Sequence, residues 1–283
     1  MKLVKTIDEM RDVRESTRKS DQRLGLVPTM GALHEGHLSL VRAARDKSNV
    51  VAVSIFVNPT QFGPNEDFAK YPRNLEKDSE MLEREHVDVI FAPSVDDMYP
   101  AGAVTWVTVE GMSDRLCGKS RPGHFRGVTT VVAKLFHIVQ PDVAFFGQKD
   151  AAQVAIVRRM VRDLNMPVSI EVCPIIRESD GLALSSRNAY LNPEERKSAL
   201  VLHRSLQRAE NLFENGERNS ARLMAAGKEE FKNESSARLD YFEIVDPDSL
   251  EPVTTISNRA LIAVAGLIGN TRLIDNVIVD PQR

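Results

Sequence analysis

Apolar residues in this chain follow two rhythms. Nearly unbroken apolar runs occupy residues 24–27, 50–57, 87–92 and 143–146, residues 168–173 read as a further strand, and between these segments apolar positions return every three or four residues. Unbroken runs of this length read as strands covered on both faces, the kind that build parallel sheets. The spaced segments read as amphipathic helices. Ile7, Met10 and Val13 among charges predict a helix over 6–18, with Thr6 as its N-cap and a sheet to cover. Leu38, Leu40, Val41 and Ala44 carry the helix after the first run, and residues 75–86, 128–139 and 151–164 supply three more. Strand, helix, strand in succession is a βαβ unit, so the chain is expected to be α/β. Residues 104–109, with Trp106, read as a peripheral strand.

The pattern changes from Pro193 onward. Long charged helices are predicted over 193–214 and 220–231, and strands over 239–245, 261–267 and 271–279. Helices followed by strands suggest a separate, smaller α+β unit. The boundary is expected in the loop near 175–185, giving domains 1–178 and 179–283.

At 283 residues, 42% hydrophobic and 27% charged, the chain can bury a core and suits about two domains. A formal net charge of −3 gives no signal for nucleic acid or an acidic membrane, so small-molecule substrates fit better. Cys117 and Cys173 are too few for a disulfide framework and lack metal-site spacing. No uncharged apolar run reaches about 18 residues and no signal peptide is apparent, so the expected home is the cytoplasm.

Chemistry concentrates in turns that follow strands. The first reads Pro28-Thr29-Met30-Gly31-Ala32-Leu33-His34-Glu35-Gly36-His37. Gly31 and Gly36 permit close backbone approach, and a phosphate suits the N–H groups that open the following helix. His34 and His37, three apart, lie on one helical face, where two imidazoles can donate to phosphate oxygens. A zinc reading fails, because Leu38 stands where His-Glu-x-x-His needs its second histidine.

The strand at 50–57 ends in a loop of turn formers containing Gln61, with the donors and acceptor to meet a hydroxyl or carboxylate. In an open α/β sheet that loop shares a crevice with the His-bearing turn. Gly147-Gln148-Lys149-Asp150 follows the 143–146 run: Gly147 permits close approach, Lys149 is a cation for phosphate, and Asp150 either caps the helix or holds Mg²⁺. Gln153 sits one turn on. Leu184-Ser185-Ser186-Arg187 places two hydroxyls beside a guanidinium, suited to triphosphate oxygens. The basic stretch 115–127 is either a solvated loop or a mobile cover, with Arg121 its best anion-binding candidate. His86 and His137 read as structural.

His34-Glu35-Gly36-His37 resembles the His-x-Gly-His signature of the nucleotidyltransferase superfamily, and the longer string 28–37 is similar to the pantoate–β-alanine ligase family within it. Residues 184–187 resemble that superfamily's Lys-Met-Ser-Lys-Ser loop, with Arg187 as one cation and Lys149 standing in for the other. The resemblance implies a Rossmann-like parallel sheet with helices on both faces, plus a smaller C-terminal α+β domain closing over the nucleotide. It implies ATP-dependent condensation of pantoate with β-alanine through a pantoyl adenylate, with Mg²⁺ and a homodimer. It places Met30, Gly31, Ala32, Leu33, His34, Glu35, Gly36 and His37 at ATP, with Gly147, Gln148, Lys149, Asp150, Ile176, Leu184, Ser185, Ser186 and Arg187. Gln61 and Gln153 would hold pantoate, Gln61 also guiding β-alanine. His37 would be the proton donor, with His34, Lys149, Ser185, Ser186 and Arg187 sharing charge stabilisation. Two other readings stay open: an adenylyltransferase of the same superfamily, and a nucleotide-sensing protein without turnover.

Overall fold

A computed structural model describes residues 1–64 and 66–282, so Asn65 of the Gln61 loop and the terminal Arg283 lie outside the described residues. In chain order the first half comprises β1 (Lys2–Val4), α1 (Ile7–Lys19), β2 (Leu24–Thr29), α2 (Glu35–Lys47), β3 (Val50–Ile55), α3 (Leu75–Arg84), β4 (Val89–Phe91) and α4 (Val95–Met98). Then follow α5 (Cys117–Ser120), α6 (His124–Val139), β5 (Val143–Gly147), α7 (Ala151–Asp163) and β6 (Ser169–Cys173). The last part holds α8 (Pro193–Ser198), α9 (Leu200–Glu214), α10 (Ser220–Glu229), β7 (Ala237–Val245), β8 (Ala260–Ile268) and β9 (Thr271–Val279).

Two compact units result. The first comprises Met1–Asp114, Arg121–Gly147 and Ile156–Pro174; the second comprises Arg115–Ser120, Gln148–Ala155 and Ile175–Arg283.

In the first unit six strands form one parallel sheet in the order β1-β4-β3-β2-β5-β6, flanked by helices on both faces. Leu24, Leu26 and Val27 of β2, Val51 and Val53 of β3 and Phe145 of β5 are 0% exposed, which is why these runs carry no polar alternation. Leu38, Val41 and Ala44 of α2 pack into the same core as Val27, Val53 and Phe145. α1 has the expected start: Thr6 and Glu9 form a reciprocal capping box. Its Arg14, buried, makes a paired contact of 2.9 and 3.2 Å with Asp142, whose carboxylate also accepts from the Leu24 N–H at 2.7 Å. One ion pair therefore pins α1 to the start of β2 and the chain entering β5.

The sheet reverses its winding at β2. Chain order runs from β2 outward through β3 to β4 on one side, and then to β5 and β6 on the other. The switch point therefore lies between β2 and β5, where ligands of open α/β sheets bind beyond the strand carboxyl ends. The turn leaving β2, residues 30–34, runs directly into α2.

Several sequence expectations are corrected. β1 went unseen because three residues at a sheet edge carry no periodicity; Lys2–Val4 pairs with Val89–Phe91. Residues 104–109 form no strand. Val107 bonds to side chains of α6 instead: its N–H donates to Thr130 Oγ1 at 3.0 Å, and Thr129 Oγ1 donates to its carbonyl at 2.6 Å. Trp106 lies under the Arg126 guanidinium, 4.7 Å from the ring centre. The helix expected over 128–139 starts earlier, at His124, after Gly123 in the left-handed region at φ +82°. Cys117–Ser120, expected as loop, is a helical turn.

In the second unit β7, β8 and β9 form an antiparallel sheet, β8 and β9 joined through Gly269 at φ +55°. α9 and α10 cover it, with Leu202, Leu206, Phe213 and Leu223 packed against Phe242, Ile262 and Val264. At Gly227 helix and sheet meet closely: an added Cβ would stand 2.3 Å from Phe242 Cζ. The single helix expected over 193–214 is two. Ala199, at φ −59°, ψ −24°, ends α8 and starts α9, and the Leu202 N–H reaches back only three residues to its carbonyl at 3.3 Å. This tighter turn puts Ala199, Val201 and Leu202 in the core together. Both cysteines are free and buried, and among the described residues no helix is long and apolar enough to cross a membrane.

Candidate active site

In the first unit, the turn between β2 and α2 is shaped from below by an acid that the sequence did not single out. Asp78 of α3, 2% exposed, accepts from the Ala32 N–H through Oδ2 and from the Leu33 N–H through Oδ1, both at 2.9 Å. These bonds hold Gly31 and Ala32 at φ +77° and +51°. A Cβ at Gly31 would stand 2.8 Å from Asp78 Oδ2 and 3.1 Å from Ile55 Cγ2, so glycine is required there for space as well as for conformation. Thr29 Oγ1 completes the cradle, donating to the Ser54 carbonyl at 2.8 Å and accepting from the Gly31 N–H at 3.1 Å.

His34 is the N-cap of α2, its extended backbone matching that role. Its Nδ1 accepts from the Gly36 N–H at 3.1 Å, and His37 Nδ1 accepts from the His34 N–H at 3.4 Å. Because a backbone N–H can only donate, both Nδ1 atoms are acceptors, and the proton of each neutral ring is on Nε2. The ring centres stand 4.2 Å apart. Two imidazoles are thus fixed at one helix N-terminus with their Nε2–H edges as donors, an arrangement for anionic oxygen. Glu35 is exposed and pairs with Arg42 on the same helix.

Gln61 follows β3 in a short 3-10 turn, and a second unforeseen residue sets its orientation. Asn58, 1% exposed, donates from Nδ2 to Gln61 Oε1 at 3.0 Å and to the Gly127 carbonyl at 3.1 Å. Its Oδ1 accepts from the Thr60 hydroxyl and the Tyr99 hydroxyl, both at 2.9 Å. Asn58 cannot be flipped without breaking this set, so Gln61 keeps its oxygen toward Asn58. Its NH₂ group reaches the Met30 sulfur at 3.1 Å. Burial raises the Tyr99 hydroxyl, which keeps it protonated as a donor.

The Gln61 backbone is held as well. His124 Nδ1 donates to its carbonyl at 2.8 Å, and Arg121 donates to His124 Nε2 at 3.0 Å. A carbonyl only accepts and a guanidinium only donates, so this His124 is the neutral Nδ1–H tautomer. Arg121 also grips Glu66 at 2.6 and 2.7 Å. Burial pushes the Glu66 carboxyl up, and the adjacent Arg121 guanidinium outweighs it, leaving Glu66 below the usual carboxylate range. Arg121, the anion-binding candidate of the 115–127 stretch, is matched to this internal carboxylate. Gly127 lets α6 approach: a Cβ there would stand 2.3 Å from the Thr60 carbonyl oxygen.

In the second unit, Gln148–Asp150 form a 3-10 turn that runs directly into α7, whose first turn carries Gln153. Asp150 is exposed, and Lys149 and Gln153 are partly so. A Cβ at Gly147, the last residue of β5, would meet no atom within 4 Å among the described residues, so the backbone there is open to close approach. Residues 176–184 fold back on themselves: the Ile176 carbonyl accepts from the Leu184 N–H at 3.0 Å, and Arg177 bridges Ala183. Gly181 turns this hairpin at φ +98°, against the His203 ring. Burial, and then the Arg177 charge, lower His203, so its ring stays neutral to a lower pH than usual. Ser185 caps the 3-10 turn Ser186–Tyr190 by accepting from the Arg187 N–H at 3.2 Å. Ser186 and Arg187 thus sit at a helix-like N-terminus, with Leu184 one step before the cap.

His86 and His137 are exposed. The His86 carbonyl accepts from Arg45, and His137 bonds the Ala133 carbonyl of its own helix at 2.8 Å. No three His, Cys, Asp or Glu side chains converge to hold a metal among the described residues.

The sequence matches the model of the pantoate–β-alanine ligase family over residues 2–278. A pantothenate synthetase from Koribacter versatilis is 57% identical over 279 residues, covering 99% of this chain and 96% of the relative. One from Thermotoga petrophila is also 57% identical, covering 99% and 100%. The crystal structure of pantothenate synthetase from Thermus thermophilus superposes with a TM-score of 0.94 at 48% identity, covering 99% of this chain and 100% of that one. A pantoate–β-alanine ligase from Francisella tularensis, solved with β-γ ATP and β-alanine, gives a TM-score of 0.80 at 37% identity, covering 98% and 97%.

Proposed function

The chain belongs to the pantoate–β-alanine ligase family, and from that premise we infer that it condenses pantoate with β-alanine, consuming ATP and releasing AMP and diphosphate. A carboxylate does not form an amide with an amine unaided, because oxide is a poor leaving group. Attack of a pantoate carboxylate oxygen on the α-phosphorus expels diphosphate and leaves a pantoyl adenylate. The β-alanine amine then attacks the acyl carbon, AMP departs, and the amine loses a proton. Neither step demands a protein nucleophile; both demand placement and neutralisation of phosphate charge.

The observation that carries the reading is the paired imidazoles at the α2 N-terminus, beyond the carboxyl end of β2 at the sheet's switch point. On it we base the residue roles. His37 Nε2–H is the proton donor to phosphate oxygen and His34 its neighbour in charge stabilisation, with Lys149, Ser185, Ser186 and Arg187 sharing that work. Met30 to Leu33 and Gly36 supply backbone to ATP, as do Gly147, Gln148, Ile176 and Leu184. Gln61, held to donate, meets pantoate oxygens and guides β-alanine.

Gln153 binds pantoate, so Gln153→Ala is expected to weaken pantoate binding about 10-fold or more, the loss of one buried polar contact, with ATP affinity little altered. Calorimetry showing ATP weakened and pantoate unchanged removes the assignment.

Mg²⁺ accompanies ATP. A lone exposed carboxylate fits an ion that takes one or two protein ligands and completes its shell with phosphates and water. Asp150 would hold it, and the bound ion would neutralise triphosphate charge. Asp150→Asn is expected to shift the Mg²⁺ titration of activity to higher concentration; superimposable titrations assign Asp150 to the helix end alone.

We place the enzyme in the cytoplasm as a homodimer. Val104 and Trp106, 82% and 43% exposed on an extended segment outside any strand, supply apolar surface for a second copy. Product formation from pantoate, β-alanine and MgATP tests the whole reading, on protein whose mass is read by light scattering. Pantoate-dependent ATP–diphosphate exchange with AMP formed only after β-alanine is added is the expected pattern. Absence of exchange returns the chain to the nucleotide sensors, and a monomer mass removes the dimer.

A further inference from the structure

Two consecutive polar residues lie in the core of the second unit. β9 alternates as a strand should, with Thr271, Leu273 and Asp275 buried, and then breaks the alternation because Asn276 is buried too. Asp275 and Asn276 are each 3% exposed, opposite Val264 and Ala263 of β8. Polar side chains in such a place are unfavourable unless every group is bonded.

Both are fully bonded, and to different segments. Asn276 Nδ2 donates to the Gln148 carbonyl at 3.0 Å and the Lys149 carbonyl at 2.9 Å, while its Oδ1 accepts from Gln148 Nε2 at 2.9 Å. Three bonds from one side chain define the Gln148–Lys149 turn. Asp275 takes Arg177 with both oxygens at 2.6 and 2.9 Å, and Oδ1 also accepts from the Asn276 N–H at 2.7 Å. Arg177 donates onward to the Gly181 carbonyl at 2.9 Å, fixing the hairpin that leads to Ser185–Arg187. β9 also packs against the 3-10 turns at Gln148–Asp150 and Ser186–Tyr190.

We propose that Asp275 and Asn276 are positioning residues for adenylation: one rigid strand sets the Lys149 backbone with one side chain and the Ser186–Arg187 turn with the next. The inference rests on the reading that Lys149 and Ser186–Arg187 meet the ATP phosphates. A cation on a flexible four-carbon stem gains accuracy only from a fixed Cα, and turns lack the ladder bonds that fix a strand. Asn276 supplies that fixity without touching a reactant.

The test is a double-mutant cycle on the full chain, reading single-turnover diphosphate release from ATP and pantoate, with circular dichroism to verify folding. Asn276→Ala is expected to slow adenylation on the order of 10²-fold, as small misplacements do. KM for β-alanine stays unchanged. Asn276→Asp keeps the volume and removes both donors; it is expected to follow Asn276→Ala and serves if the alanine variant does not fold. In a Lys149→Ala background either substitution is expected to change the rate by no more than about threefold, because the residue it positions is gone. If Lys149→Ala alone leaves adenylation untouched, the phosphate role of Lys149 is wrong. If Lys149→Ala slows adenylation and the two effects multiply, or Asn276→Ala and Asn276→Asp fold and react at the native rate, the positioning role is overturned.

Discussion

His37→Ala is expected to lower kcat by about 10²-fold or more, the loss seen when one preorganised donor is removed from developing negative charge. The magnitude follows from how firmly the ring is held. Nδ1 accepts from the His34 N–H, Nε2 carries the hydrogen, and the neighbouring ring stands 4.2 Å away, so no reorganisation is needed when charge builds on a phosphate oxygen. Stopped-flow measurement of diphosphate release separates this step from the later aminolysis. His37→Ala should slow release while leaving KM for β-alanine alone. A native rate of release would refute the assignment of His37 as donor.

Asp78→Ala should cause the largest loss of stability together with a loss of ATP binding. Two turn N–H groups at 2.9 Å lose a charged acceptor at a position 2% exposed, and the remaining donors face a cavity. Charge-assisted bonds of this kind sum to roughly 3 kcal/mol or more, a large share of the stability of one domain. Without them, the turn keeps only the Thr29 Oγ1 bond to the Gly31 N–H against the positive φ of Ala32, so its backbone relaxes. Urea titration should show a lower midpoint, and calorimetry weaker ATP binding with pantoate affinity less affected. An unchanged midpoint would mean that the turn holds its shape without Asp78.

Asp78, Asp275 and Asn276 share one property: each lies far in sequence from the turn it shapes, while Asn58 sits beside its turn and is itself fixed by Tyr99 and Gly127, 41 and 69 residues away. Asp78 sits in the charged run Glu76-Lys77-Asp78 and reads as one more exposed helix residue. Its burial is decided by α3 packing beneath the turn 46 residues earlier. Residues 104–109 show the converse. Their strand-like composition is real, but the backbone partners of Val107 are Thr129 and Thr130 on a helix, which no local pattern announces.

The order of residues alone was enough to specify a parallel sheet with a smaller C-terminal α+β unit, because burial on both faces forces unbroken apolar runs and a second rhythm of helices followed by strands marks the change of unit. Family membership was readable from residues 28–37 and 184–187, because their order and spacing resemble the family's motifs. Folding in three dimensions was needed to settle which nitrogen of His34 and His37 carries the proton, which way the Gln61 amide faces, and what holds Gly31, Lys149 and Arg177 in place. Those outcomes depend on individual hydrogen bonds, most of them between residues distant in the chain, and such bonds leave no periodic trace in a sequence.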